Sequence, residues 1–255
     1  MNDELIQHNP WDELRAHTSA RIAIGRVGSS LPTNEVLRFG LAHAQARDAV
    51  HRPLDFASLR SQLENAQFRV LQVRSDAEDR QSYLLRPDKG RHLADACYAR
   101  LSDEVAAPEL AVVIADGLSS IAVQRHALPL LQLFRQRFDT DWANTPVVLA
   151  EQGRVAIGDG IGQALRARLV VMLIGERPGL SSPDSLGLYL TFQPRVGRMD
   201  SERNCISNVR PEGLPYALAA HKLDYLAREA LRLSLSGVAL KDDSNLLRVT
   251  ESPAH

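Results

Sequence analysis

Three short apolar runs, separated by helical stretches, limit the fold of this chain more than any other feature. The runs are 110–115, 146–150 and 169–174, and each has the length and composition of a buried strand in a parallel sheet. Helices are predicted between them, from residue 119 to about 138 and over 158–168. This alternation predicts an α/β fold with a Rossmann-like parallel sheet and right-handed crossovers.

The residues before the first run have a different pattern. Helices are predicted over 33–51, 56–67 and 88–101, and a strand over 68–73. The first helix carries apolar or small residues at helical spacing, which predicts a packed stripe. The members of this stripe are Val36, Leu37, Gly40, Leu41 and Ala44.

A helix over 215–236 follows the sheet region, and Gly237 stands where a helix-terminating glycine is common. A further strand is predicted at 188–192. We therefore expect a mainly helical region that precedes the Rossmann-like domain. The predicted division is an N-terminal arm at 1–20, the mainly helical region at 21–105, the Rossmann-like domain at 106–244 and a C-terminal tail at 245–255.

Composition argues against several classes of protein. The 255 residues include 30 Lys and Arg against 31 Asp and Glu, so no strong net charge favours nucleic acid or an anionic membrane as a partner. Cys97 and Cys205 lie far apart without a CxxC motif, and no histidine pair has metal-ligand spacing. No run approaches a membrane span or a signal peptide. These features predict a soluble intracellular protein without a metal site.

Carboxylates follow the three predicted strands of the sheet. Asp116, Glu151 and Glu176 each stand at or next to a strand end, with a glycine close by. The carboxyl ends of parallel strands share one edge, where open α/β sheets bind ligands. Each acid alone is better explained as a helix cap. Together they indicate a polar ligand site, with the loop 175–187 as its most informative part.

No complete set of catalytic groups accompanies this edge. The glycines of 158–162 resemble a dinucleotide fingerprint, but the third comes one residue early and the segment lies far from the preceding strand. Cys205 has no activating neighbour in sequence, although His221 and Lys222 could approach it in space. A binding edge without a nucleophile, base or metal is typical of one subunit of a larger enzyme.

Seven stretches distributed along the chain carry a family resemblance. They lie at 20–26, 37–51, 112–119, 153–159, 175–187, 203–213 and 237–242. Together they closely resemble the small (light) subunit of ethanolamine ammonia-lyase, over about residues 17–244.

This resemblance implies a specific role. The family converts ethanolamine to acetaldehyde and ammonia, using a radical formed by homolysis of the Co–C bond of adenosylcobalamin. A large TIM-barrel subunit carries the catalytic residues, so the resemblance implies no catalytic residue and no activity for the small chain alone. The 106–244 domain is then expected to contact the cobalamin. Matching motifs imply cofactor contacts at Val155, Glu176 and Cys205.

The resemblance also implies a cofactor state, a partner and a location. The sequence lacks the Asp-x-His-x-x-Gly motif that replaces the lower base of a corrinoid, which agrees with a base-on cofactor. The partner is the large subunit, in a hetero-oligomer of paired subunits found in a bacterial microcompartment or in the cytoplasm. Two alternatives remain open at this point: a free-standing nucleotide-binding α/β enzyme, and a non-catalytic interaction module.

Overall fold

The computed structural model of this chain describes residues 6–18, 20–104 and 107–245. Most of the predicted tail at 245–255, and residues 1–5 and 19 of the predicted arm, lie outside the described residues. The helices are α1 (Thr33–His51), α2 (Phe56–Asn65), α3 (Arg80–Leu85), α4 (Asp95–Ser102), α5 (Ser120–Arg137), α6 (Ile157–Ala164) and α7 (Tyr216–Leu233). The strands are β1 (Arg69–Arg74), β2 (Leu110–Ala115), β3 (Pro146–Glu151), β4 (Leu169–Gly175), β5 (Leu186–Phe192) and β6 (Asn204–Val209).

The strands form one six-stranded sheet in the order β1-β3-β2-β4-β5-β6. The first four strands of this order are parallel, whereas β5 pairs antiparallel with both β4 and β6. The predicted α/β class is confirmed, but the sheet is mixed rather than parallel throughout. The cause is the connection from 176 to 185, which contains no helix. Without a crossover helix, β5 returns directly beside β4 and runs antiparallel to it.

The strand predicted at 68–73 lies at one edge of this sheet. It forms β1, which pairs in parallel with β3 from Arg69 opposite Pro146 to Arg74 opposite Glu151. The sheet therefore extends across the predicted boundary at 105/106, because β1 precedes that boundary and its partner strand follows it.

The two faces of the sheet carry separate apolar clusters. On one face, α5 and α7 pack against the strands through residues such as Phe134 and Leu223. On the other face, Ile157 and Ile161 of α6 pack against β2 and β4. The strands β2 and β4 are buried on both faces. This double burial explains why their sequences are apolar without alternation.

Three helices differ from the sequence prediction in detail. The helix predicted over 88–101 is confirmed only from Asp95 onwards, as α4, and a separate 3-10 turn at Lys89–Arg91 precedes it. The last helix, α7, ends at Leu233, and Ser234 adopts the left-handed conformation with φ of 57°. The prediction that Gly237 terminates this helix is therefore wrong. Instead, Gly237 lies against the backbone of Ser201 and Glu202, where a Cβ atom would be 2.1 Å from the Ser201 carbonyl oxygen. Helix α1 is confirmed, but its predicted apolar stripe faces outward.

No helix among the described ranges combines the length and the apolar character needed to cross a membrane.

Candidate functional site

Glu176 follows the last residue of β4 and is held between β5 and β6. Its carboxylate accepts the backbone N–H of Asn208, at 3.1 Å from Oε2. Its own N–H donates to the Ser185 carbonyl oxygen over 3.0 Å. Gly187 opposes it closely, because a Cβ atom there would lie 3.1 Å from both Cγ and Oε1 of Glu176. A carboxylate has about four acceptor positions. Glu176 is therefore fixed in place with acceptor capacity left for a ligand.

Cys205 lies on β6 directly opposite Tyr189 of β5. Directly opposed residues of an antiparallel pair share one face, so the Cys205 thiol lies beside the Tyr189 side chain. Partial burial of the thiol raises the pKa of Cys205, the neighbouring Tyr189 hydroxyl opposes this, and the nearby Glu176 charge raises the pKa further. Cys205 is consequently a neutral thiol at physiological pH, which suits a contact residue rather than a nucleophile.

Val155 lies in the segment between β3 and α6 and packs against the apolar cluster on the α6 side of the sheet. Hydrogen bonds hold the two residues before it, Gly153 and Arg154. The N–H of Gly153 donates to Asp116 Oδ1 over 3.0 Å, and the N–H of Arg154 donates to the Gly90 carbonyl oxygen over 2.7 Å. The Val155 carbonyl accepts the N–H of Gly158 at the start of α6. These bonds fix the position of Val155.

Asp116 belongs to the support of this segment. It is buried, and its Oδ1 accepts the N–H groups of both Gly117 and Gly153, each at 3.0 Å. Arg80 Nη1 lies 3.5 Å from its Oδ2. Burial raises the pKa of Asp116 to about 6, although Arg80 and the backbone donors act in the opposite direction.

Tyr83 completes the same support. Its ring lies between two guanidinium groups, with the Arg80 Cζ at 4.7 Å and the Arg154 Cζ at 4.2 Å from the ring centroid. Its hydroxyl donates to the Gly153 carbonyl oxygen over 3.2 Å. Cation–π contacts of this kind stabilise buried or half-buried arginines. The segment that carries Val155 is therefore held by a network of side chains from α3 and from the end of β2.

The three strand-end carboxylates share one edge of the sheet, as predicted, but they do not face one common ligand. Asp116 is buried and bonded to backbone N–H groups of its own chain. The Glu151 carboxylate points towards the β1 edge, where it accepts a hydrogen bond from the Gln72 side chain. Only Glu176 lies beside the exposed face of β6. The structure therefore assigns a structural role to two of these three acids.

The predicted contact residues are spread across the sheet. Val155 comes after β3, Glu176 follows β4 and Cys205 lies on β6, and four strand spacings separate β3 from β6. At about 4.8 Å per spacing, this span is about 19 Å. Next to α6, a cavity of about 650 Å³ opens between Ala156, Gly160 and Val196. The arrangement suits a large, flat ligand better than a small substrate.

Sequence reasoning missed Tyr189 and Asn208 as members of this site. Tyr189 could have been found from the strand alternation, since Gly187 and Tyr189 lie on the same face of β5. Asn208 belongs to the stretch 203–213, but its contact with Glu176 depends on the antiparallel pairing of β5 and β6, which the sequence did not reveal.

The other candidate groups lie in structural roles. His221 is bonded to the Ser244 carbonyl oxygen, and Lys222 to the Asp242 carboxylate and the Ser244 hydroxyl, so both are engaged with the 242–244 segment rather than with Cys205. In the ranges 6–18, 20–104 and 107–245, no group of His, Cys, Asp and Glu side chains is arranged to hold a metal ion.

The glycines at 158–162 do not form a phosphate-binding turn. They lie within α6 and are buried. A Cβ atom at Gly162 would approach the Pro194 side chain to 2.3 Å and the Val170 side chain to 2.6 Å. Close packing explains this glycine, so nothing in the segment supports nucleotide binding.

Comparisons with known proteins agree on one family. A family model described as the ethanolamine ammonia-lyase light chain matches residues 8–241. The ethanolamine ammonia-lyase small subunit of Azotobacter vinelandii is 58% identical over 94% of this chain and 91% of its own length. That of Pseudomonas fluorescens strain Pf0-1 is 58% identical over 93% of this chain and 89% of its own length. That of Pseudomonas paraeruginosa is 56% identical over 96% of this chain and 93% of its own length.

Proposed function

Because the chain belongs to the ethanolamine ammonia-lyase light-chain family, we propose that it forms one side of an adenosylcobalamin site whose other side is the large subunit. The observation that carries this proposal is the surface formed by Glu176, Tyr189 and Cys205. On this surface a carboxylate is fixed by a backbone N–H and a neutral thiol lies beside a tyrosine.

The chemistry of these residues fits a corrinoid. The rim of a corrin ring carries primary amides, and Glu176 keeps acceptor positions that can bind an amide N–H through a charge-assisted hydrogen bond. Cys205 offers a compact, polarizable contact, and Val155 offers methyl groups. The span of about 19 Å from β3 to β6 matches a wide macrocycle rather than ethanolamine itself. The cavity at the start of α6, lined by Ala156, gives space for a projecting group of the cofactor.

The groups that the chain presents indicate which part of the reaction belongs to the cofactor and which to this chain. When bound, adenosylcobalamin supplies the radical chemistry that converts ethanolamine to acetaldehyde and ammonia. This chain binds one side of the cofactor, orients it and excludes water. Across the described part of the chain, the two groups weighed as candidates for acid–base or nucleophilic chemistry are not free for it, since His221 is bonded to the Ser244 carbonyl oxygen and the Cys205 thiol is protonated. This supports the proposal that the chain alone is inactive.

The proposal extends to the assembly. We propose a base-on cofactor, because the sequence lacks the histidine motif that displaces the lower base. We also propose a hetero-oligomer of paired large and small subunits, in the cytoplasm or within a bacterial microcompartment.

The test combines the full chain with the large subunit of the Azotobacter vinelandii enzyme and adenosylcobalamin. We expect a complex with the visible absorption spectrum of a base-on cobalamin and with ethanolamine deamination, neither of which the chain shows alone. Glu176→Gln should weaken cofactor binding roughly tenfold to a hundredfold, since hydrogen bonds to charged groups contribute about 1.5–3 kcal/mol.

Glu64→Gln is the matched control, because Glu64 is an exposed carboxylate on α2. It should bind the cofactor like the unmodified chain. Deamination by the chain alone, or equal cofactor affinity for the Glu176 and Glu64 variants, contradicts the proposal.

A further inference from the structure

We infer that the outward face of α1 docks on the large subunit. This face, called here the α1 stripe, consists of Val36, Leu37, Gly40, Leu41 and Ala44. The inference rests on the pairing with a large subunit in the proposed function and adds the surface through which part of that pairing is made.

The α1 stripe is apolar and exposed. Val36 is 51% exposed, Leu37 68% and Leu41 59%. The side of α1 that faces the rest of the chain is formed instead by Glu35, Ala42 and Ala49, which recur every seven residues and are buried. A helix of a free-standing protein normally directs its large apolar residues inward. In α1 the large apolar residues point away from the chain, which indicates a partner surface.

Gly40 lies in the middle of this face, and no close approach of another described residue requires a glycine there. A Cβ atom built on it meets no described atom within 4 Å. Glycine in a helix interior is unfavourable compared with alanine, because it gives up more backbone freedom on folding. Gly40 and Ala44 are one helical turn apart on the outward face. Small residues at this spacing let the backbone of a neighbouring element approach closely.

The position of α1 identifies the occupant. The end of α1 is anchored at the carboxyl edge of the sheet, where Arg80 Nε donates to the Val50 carbonyl oxygen over 2.8 Å. Arg80 Nη1 also donates to the Gly117 carbonyl oxygen over 2.8 Å. Near the other end, Arg21 lies over the Phe39 ring at 5.5 Å and reaches the Leu180 carbonyl oxygen at 3.4 Å, in the loop that follows Glu176.

Helix α1 therefore lies at the same carboxyl edge of the sheet as Glu176, beside the loop that follows it. A large subunit that closes over a cofactor at Glu176 continues naturally onto α1. A second copy of this chain on the same face would occupy the space next to the cofactor and compete with the large subunit. We therefore assign the stripe to the large subunit.

The experiment compares charged variants of the full chain in their binding to the Azotobacter vinelandii large subunit. Leu37→Asp and Leu41→Asp should each weaken association by about tenfold or more, because a charge would have to be buried at an apolar contact. Val238→Asp is the matched control, since Val238 is 81% exposed and follows Gly237, which is bonded to Asn204 at the start of β6, at the sheet edge opposite to Glu176. It should associate like the unmodified chain. All three variants should keep the melting temperature of the isolated chain.

Gly40→Ala gives a second test, because it should raise the melting temperature of the isolated chain and yet weaken its association with the large subunit. The substitution should raise the melting temperature of the isolated chain, because alanine favours the helix and the added methyl group meets open space. It should weaken association with the large subunit, because the methyl group keeps the neighbouring backbone away. Destabilisation of the chain would lower the melting temperature, so it cannot explain weaker association together with a raised melting temperature.

The outcomes separate the inference from the proposed function. If the unmodified chain fails to bind the large subunit, the proposed pairing is wrong. If it binds and the stripe variants bind equally well, the pairing stands and the docking surface is wrong. If Val238→Asp weakens binding as much as the stripe variants do, the loss of binding is not specific to the α1 stripe and the inference is overturned. If sedimentation shows a dimer of the isolated chain that the stripe variants dissociate, the face belongs to a second copy and the inference is overturned.

Discussion

The backbone N–H of Asn208 donates to the Glu176 carboxylate over 3.1 Å, while Asn208 itself adopts the left-handed conformation with φ of 58°. In this conformation the N–H of Asn208, on β6, points towards Glu176, which follows β4. Asparagine tolerates it, whereas a β-branched residue does not. The geometry of the proposed corrinoid contact therefore depends on a residue that does not need to touch the cofactor.

Asn208→Val should disturb this arrangement. The left-handed conformation costs a β-branched residue such as valine about 1–2 kcal/mol more than asparagine, and we expect the free energy of unfolding to fall by that order. We also expect weaker cofactor binding in the complex with the large subunit, because Glu176 loses its fixed partner. Asn208→Gly keeps the conformation available and serves as the control. Denaturant titration and cofactor titration measure the two effects, and equal cofactor affinities for the two variants would refute this dependence.

Gly187→Ala tests the same contact from the β5 side. The added Cβ atom would lie 3.1 Å from Cγ and Oε1 of Glu176 and 3.4 Å from the Tyr189 ring. The two 3.1 Å contacts are tighter than normal, so the Glu176 carboxylate should shift by a few tenths of an ångström, whereas the contact with the Tyr189 ring is an ordinary one. We expect cofactor affinity to fall about tenfold, with a loss of about 1 kcal/mol or less in the stability of the isolated chain. A cofactor titration of the complex decides the point, and an unchanged affinity would show that the Glu176 position is not critical.

Much of the fold was predictable because its strongest signals are local. The buried runs in β2, β3 and β4 identify themselves by composition, and the carboxyl edge with Glu176 follows from their parallel order. The direction of β5 was not predictable, because the loop from 176 to 185 gives no sign of whether the chain crosses over or turns back. The placement of β1 at the sheet edge likewise depends on pairing between residues distant in sequence.

The same holds for the candidate site: residues marked by their local sequence were predictable, whereas contacts between residues distant in sequence were not. Glu176 was identified from its position at a strand end, and Val155 and Cys205 from the family resemblance. The support around Val155 was not found, because Arg80 and Tyr83 lie on α3 and reach the segment only in the folded chain. The exposure of the α1 stripe could not be predicted for a different reason. Its periodic pattern predicts burial but does not specify which chain buries it.

Asp116 should make stability depend on pH. Its pKa is about 6 in the folded chain, against an ordinary value of 3.8. The folded state therefore binds the proton more tightly than the unfolded chain, and the contribution of Asp116 to stability declines as pH rises from about 4 to about 6. The shift corresponds to a decline of about 3 kcal/mol at most. Urea titrations across this range should show that Asp116→Asn removes part of the decline, and parallel pH profiles for the two chains would contradict the assignment.

The ion pair between Arg203 and Asp159 gives the last prediction. Arg203 binds both oxygens of Asp159, at 3.0 and 2.8 Å, and both side chains are almost fully buried. The pair ties the start of β6, next to Cys205, to α6, which begins just after Val155. Removing one partner leaves a buried charge uncompensated, so Asp159→Leu or Arg203→Met should each cost about 3–5 kcal/mol.

The double variant Asp159→Leu with Arg203→Met should be less destabilised than either single variant, because it leaves no unpaired charge in the interior. Its cofactor affinity should nevertheless be reduced, because β6 is then joined to α6 by apolar packing without the bidentate geometry that sets their relative position. Denaturant titrations of the four chains give the stability cycle, and cofactor titrations of their complexes give the positional effect. Additive losses in the stability cycle would show that the two side chains act independently.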